Sequence, residues 1–178
     1  MKRKDYLIIV LTPLVLLTIP FVGNRVSEEW NWTLSDFAIM GVLIAGAAFI
    51  WRLLVTRPSA NLAYRLGAGL AVVTGFLLVW VSLAVAIIGE SNPANGFYLG
   101  SILSGLIGTG MAQFRPKGMA RAAFAAAAIT FFVPIIAWVM DPNDFSPGVA
   151  PVLLLNSIFV LMFAAAGLLF CRAAKQTQ

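Results

Sequence analysis

Histidine is absent from this 178-residue chain, and cysteine occurs once, as Cys171. Without an imidazole there is no histidine general base, no histidine-ligated haem and no His-bearing metal site. One cysteine permits neither an intrachain disulfide nor a thiolate cluster. Charge is scarce as well: 11% of the residues are charged, against about a quarter in an ordinary soluble domain. Nucleotide-binding and hydrolase signatures are missing too, with no P-loop, GxSxG or HExxH pattern. Ser101, Ser104 and Ser157 have no histidine to activate them, and no lysine base lies within the apolar runs. The expectation is a protein that is not an enzyme and carries no metal and no cofactor.

What the chain has in abundance is apolar surface. It is 61% hydrophobic, with a mean hydropathy of +0.93. One soluble core of this size cannot enclose so much apolar area, so the suitable solvent is a lipid bilayer. A spanning helix needs about 20 mainly apolar residues. Six such runs occur, at about 6–22, 34–54, 63–89, 93–114, 119–140 and 147–171. None alternates with the period of two that a transmembrane barrel requires. Backbone groups in lipid must pair within their own helix. The fold class expected is an all-α membrane protein, a six-helix transmembrane bundle forming a single integral membrane domain over 1–178. The first run is read as a helix rather than a cleaved leader, because Phe21-Val22-Gly23 is a poor cleavage site.

The ends of the runs are punctuated. Pro58, Pro93, Pro116 and Pro147 fit the first helical turn, where the N–H that proline lacks would have no partner. Asn92 and Ser146 fit N-caps. Thr33-Leu34-Ser35-Asp36 fits a capping box, and Asp141-Pro142-Asn143-Asp144 reads as a turn. Pro13, Pro20 and Pro134 lie within or near the ends of runs and are expected to kink them.

Charge sets an expected orientation. Eleven of the twelve basic residues fall on the N-terminus, the C-terminus and alternate loops, with Arg25 the exception. Positive-inside asymmetry then puts both termini in the cytoplasm. Every acid except Asp5 maps to the other face: Glu28, Glu29, Asp36, Glu90, Asp141 and Asp144. Arg52, Arg65, Arg115, Lys117 and Arg121 flank span ends, where they are expected to contact anionic lipid at the cytoplasmic face. Cys171, beside Arg172, reads as a small apolar residue at a membrane edge, with juxtamembrane palmitoylation as the sharper alternative. No nucleic-acid partner is expected.

Helices in lipid associate where small residues let backbones approach. Gly41-x-x-x-Ala45, Gly67-x-x-x-Ala71, Ser101-x-x-x-Gly105 and Ser104-x-x-x-Gly108 have that spacing. The fourth run is the richest in small residues and is expected to be central or to form an oligomer seam. The first run has few small residues and should be peripheral. Arg57-Pro58 and Arg115-Pro116 are 58 apart, as are Trp80 and Trp138, so helices 2–3 and 4–5 are a possible weak tandem hairpin repeat. Trp80, deep in the third run, is expected to pack in the core.

Two acids bear on function. Asp36 opens the second run and Glu90 closes the third, which makes them a candidate outer-face cation site, with Arg25 as the available counter-charge. Asp36 is also explained by capping, and both acids by a solvated rim. Ser101, Ser104 and Thr109 are the candidate lining of a path through the bundle. Asn92-Pro93-Ala94 matches the tripeptide of aquaporins in one copy, where a cap followed by proline accounts for it.

Trp30-x-Trp32, Asp36-Phe37, Leu77-Leu78-Val79-Trp80, Ile87-Ile88-Gly89-Glu90 and Arg115-Pro116-Lys117-Gly118-Met119-Ala120-Arg121 together resemble uncharacterised small multi-pass inner-membrane proteins of bacteria. The resemblance covers most of residues 30 to 121. It implies the bacterial inner membrane and a helical fold, and it carries no activity and no functional residues. The leading expectation is a non-catalytic protein that packs in a homo-oligomer or with a membrane protein partner. The alternative is a transporter or channel for a cation or small solute entered from the acidic face.

Overall fold

A computed structural model describes residues 3–57, 60–89 and 92–176. The described residues form helices and loops, without a strand. Six α-helices follow one another: α1 (Arg3–Val26), α2 (Leu34–Val55), α3 (Leu62–Val85), α4 (Gly96–Met111), α5 (Pro116–Met140) and α6 (Val149–Lys175). All but α4 are long and apolar enough to cross a membrane. Their outward surface suits lipid tails: Val15, Ile19, Val139 and Leu161 are each more than 60% exposed. The chain divides into two compact units, Met1–Pro58 and Ser59–Gln178.

The first unit is the antiparallel hairpin of α1 and α2. Its turn is closed by Asn24, whose side chain accepts from Trp32 N (3.1 Å) and donates to Trp32 O (2.8 Å). The expected capping box forms at the start of α2. Thr33 Oγ1 accepts from Asp36 N, and the Asp36 carboxylate accepts from Thr33 N at 2.7 Å. At the far end of the hairpin Asp5, 4% exposed, is ion-paired with Arg52. Gly41 meets Leu17 of α1, so the small residue predicted on α2 serves this contact. Pro13 and Pro20 both lie inside α1.

The second unit is a four-helix arrangement whose helices alternate in direction. At one end Tyr64, opening α3, donates to the Phe114 carbonyl that follows α4 and to Met119 Sδ at the start of α5. Asn61, the N-cap of α3, also donates to the Ala173 carbonyl near the end of α6. At the other end Gly89 N donates to Ser146 O, and Asn92 Nδ2 donates to Asp144 O. Arg65, Arg115, Lys117, Arg172 and Lys175 sit at or near the first end, Asp141 and Asp144 at the second, so this unit is polarised in charge along its length.

The centre of this unit is α5 and α6. They carry ten and nine buried residues, whereas α4 carries two, Tyr98 and Ser101. The fourth helix is therefore lateral, not central. It packs against α5 through Gly105 and Gly108, while Gly67 of α3 lies against the Ala166 carbonyl of α6. Trp80 departs from expectation as well: it is 41% exposed, and its ring lies tilted beside Phe76 of its own helix, centroids 6.2 Å apart.

Two helix ends differ from the hydropathy profile. The apolar run continues to Gly89, but α3 stops at Val85, where Ala86 takes φ +46°. Ile87 and Ile88 then turn into the core, 2% and 0% exposed. Gly89 has φ +49°, and a Cβ there would run into the Asp144 carboxylate, so both backbone and space demand glycine. Pro93 opens a short 3-10 turn (Pro93–Asn95) that leads directly into α4. The 16 residues of α4 rise about 24 Å, and the 3-10 turn adds about 6 Å, which together match the ~30 Å hydrocarbon layer. Pro116 occupies the first turn of α5 as expected. Pro147 does not start α6: it follows a cis bond from Ser146, and Gly148 precedes the helix without a side-chain cap. Of the helices in the possible tandem repeat, α2 lies in the first unit and α3, α4 and α5 in the second.

Candidate functional site

Two polar clusters and one helix face stand out from the apolar background. The first cluster binds the connection between α3 and α4. Asn92 Oδ1 accepts from Ala94 N at 3.0 Å, so the first residue of the Asn-Pro-Ala tripeptide is a cap. Asn95 does more. Its Nδ2 donates to the carbonyls of Ile88 (2.6 Å), Gly89 (2.9 Å) and Asn92 (3.2 Å), and its Oδ1 accepts from Ile88 N (3.0 Å). One side chain thus satisfies the backbone of a buried irregular segment. Beside it Tyr98 Oη, 1% exposed, donates to Asn156 Oδ1 of α6 at 3.1 Å. Asn95 and Asn156 escape a sequence reading because their partners are remote or non-helical. Their signal is an amide at the start of one apolar run, Asn95, and one inside another, Asn156.

Next to this cluster lies a cavity of about 290 Å³, lined by Val85, Ala86, Ile87, Pro147, Val152 and Leu155 among others. None of the described residues that line it is ionisable. The described lining offers shape, backbone polarity and the Ser146 side chain.

The second cluster is the Asp5–Arg52 pair. Arg52 was expected to reach lipid headgroups, but its guanidinium is engaged by Asp5 and its Nε is buried without an acceptor. A buried charge needs a partner, and two sequence features point to one. Asp5 is the lone acid on the basic side, and Arg52 lies inside an apolar run. The other basic residues expected at lipid, Arg65, Arg115, Lys117 and Arg121, are all exposed, with Arg65 Nε donating to Ala60 O.

Of the two acids of the candidate cation site, the structure describes Asp36. Asp36 is exposed, and one carboxylate oxygen accepts from both Thr33 N and Thr33 Oγ1 at 2.7 Å, so the group is committed to its cap. Glu90 lies outside the described residues. Arg25, the expected counter-charge, stands 5.4 Å over the Phe21 ring. Among the described residues no three His, Cys, Asp or Glu side chains group as metal ligands.

The candidate path residues divide. Ser101 is fully buried and its hydroxyl has no hydrogen-bond partner. Ser104 Oγ donates to Ser101 O at 2.8 Å. Thr109 is half-buried and lies about 80° round the helix from Ser101. With Ser104 on the other side of Ser101, the three span about 140° of the helix circumference.

A stripe does exist on the opposite side of α4. Gly96, Gly100, Leu103, Ile107 and Gly110 are all exposed and fall within about 80° of the helix circumference. A Cβ added at Gly96, Gly100 or Gly110 would meet nothing within 4 Å. Thus α4 has two small-residue faces, one used against α5 and one open. The spacing of small residues in the sequence indicated close packing but not which glycines face which way.

No protein family, no curated protein and no solved structure was found to match the chain.

Proposed function

We propose that the chain is a polytopic membrane protein of the bacterial inner membrane that works without catalysis, by docking the open face of α4 on a helix of a second copy or of a membrane protein partner. The observation that carries this reading is the unoccupied Gly96/Gly100/Gly110 stripe. Glycine in a helix interior costs about 1 kcal/mol relative to alanine. Gly105 and Gly108 lie against α5, whereas Gly100, the outward glycine in the helix interior, meets no described neighbour within 4 Å. In lipid, an open small-xxx-small face such as Gly96-x-x-x-Gly100 is what allows a second backbone to approach and make van der Waals contact.

The distribution of basic residues supports cytoplasmic N and C termini, with Arg65, Arg115, Lys117 and Arg121 meeting anionic lipid. The test is the stoichiometry of the full chain in lipid nanodiscs or native membrane vesicles. A defined homo-oligomer, or a partner protein in fixed ratio, supports the reading. A strictly monomeric, partner-free preparation contradicts it.

A second reading is passage of a cation or small solute from the acidic face. The unpartnered Ser101 hydroxyl in the core favours it. Proteoliposomes that show no flux of protons, monovalent cations or water remove it.

A further inference from the structure

The unpartnered hydroxyl of Ser101 lies at a place where a second polar group is also left over. The contact of α4 with α5 fixes a register. A Cβ on Gly108 would stand 2.7 Å from Ala122 Cβ, and one on Gly105 would stand 3.8 Å from Ala126 Cβ. The helices run in opposite directions, so each turn back along α4 meets a turn forward along α5. One more turn sets Ser101 opposite Thr130, and both are 0% exposed.

Thr74, Ser82, Thr130 and Ser157 satisfy their hydroxyls on a carbonyl four residues back. Ser101 does not, and its Oγ is buried with no partner. Across the interface Pro134 lies inside α5. Proline has no N–H, so the Thr130 carbonyl loses its regular intrahelical donor. Thr130 Oγ1, which donates to Ala126 O, keeps lone pairs free to accept. By this register a hydroxyl donor on α4 stands opposite a turn of α5 that carries a carbonyl without its helical donor and a hydroxyl acceptor. A buried water is held by about three such groups, with a range of two to four.

We propose that a single structural water occupies the α4–α5 crossing, accepting from Ser101 Oγ and donating to the Thr130 carbonyl that Pro134 leaves free. The water satisfies a buried hydroxyl and a buried carbonyl that the protein alone leaves apart. It pins α4 at the proline of α5. This inference is independent of the docking role proposed for the opposite face of α4.

The test has two arms, both on the full chain in lipid bilayers. In the first, magic-angle-spinning NMR measures magnetisation transfer from water to labelled Ser101 and Thr130. Transfer to both, with apolar neighbours such as Val133 and Ala126 dark, is the expected result. No transfer to either overturns the proposal. In the second, unfolding equilibria are compared for Ser101→Ala, Pro134→Ala and the double variant. Ser101→Ala is expected to lower the folding constant by about 3- to 20-fold, the range for buried hydrogen bonds in membrane bundles. In the Pro134→Ala background, where an N–H again serves the Thr130 carbonyl, that loss should shrink. Equal losses in both backgrounds contradict the bridge. Coupling without water transfer assigns a direct Ser101–Thr130 bond and also overturns the water. If Pro134→Ala does not fold, the NMR arm on the unsubstituted protein decides alone.

Discussion

Gly100 and Gly108 sit in the same helix, two turns apart, and the structure assigns them opposite surroundings. At Gly100 an added methyl meets open space, and at Gly108 it would lie 2.7 Å from Ala122 Cβ. Ordinary contact lies at 3.4–4 Å, so Gly108→Ala must push α4 and α5 apart by about 1 Å. Overpacking of this kind costs about 1–3 kcal/mol. Both substitutions gain the same helix propensity, about 1 kcal/mol, and that term cancels in the comparison. Gly100→Ala should therefore exceed Gly108→Ala in monomer stability by about 1–3 kcal/mol. Reversible unfolding in bicelles, at protein dilutions that hold the chain monomeric, reads this difference. Ala122→Gly should rescue Gly108→Ala, with a coupling of about 0.5–3 kcal/mol, and leave Gly100→Ala unaffected. Equal stability of the two single variants, or failure of the rescue, refutes the assignment of faces.

The two polar clusters give further tests. Asp5→Asn leaves the Arg52 guanidinium buried without its counter-ion and should destabilise the α1–α2 hairpin. The loss is about 1–3 kcal/mol, below the usual 3–5 kcal/mol for a broken buried pair because Arg52 is 23% exposed. A fluorescence change of Trp30 or Trp32 during unfolding would follow it, and an unchanged midpoint would contradict the burial. Asn95→Ala removes the bonds that hold Ile88 and Gly89 and should cost about 2–4 kcal/mol. It should also speed hydrogen exchange at Ile88 N first, whereas uniform exchange across the second unit would count against a local role.

Local chemistry was legible in the sequence. The Thr33–Asp36 capping box, the Asn92 cap and Pro116 in the first turn of α5 each depend on neighbours within a few residues, and each formed as spaced. Long-range pairs were not. Asp5 and Arg52 are separated by 47 positions, and only their anomaly as isolated charges hints at the bond. The end of α3 was hidden because Ala84 to Gly89 is uniformly apolar: hydropathy cannot tell a helix from a buried irregular strap. What ends the helix is Asn95, which supplies the backbone bonds of Ile88 and Gly89 from the next element. Of the two positions expected for α4, the structure excludes the central one, and for a related reason. Composition counts its small residues, but only register shows that Gly105 and Gly108 face α5 while Gly96, Gly100 and Gly110 face outward. Asp36 caps α2 through one carboxylate oxygen, a contact within three residues, while Glu90 lies outside the described residues.

The direct probe of the open α4 face is a disulfide scan in membranes, on a Cys171→Ala background so that each introduced thiol is alone. Cysteine is placed in turn at Gly96, Gly100, Leu103 and Ile107, and at Ile102 and Gly105 as inward controls. Oxidative crosslinking to a second chain that peaks at Gly100 and recurs with helical period along the outward positions is the predicted result. Crosslinking that is absent at all four outward positions, with no partner protein retained in fixed ratio, would contradict docking through α4.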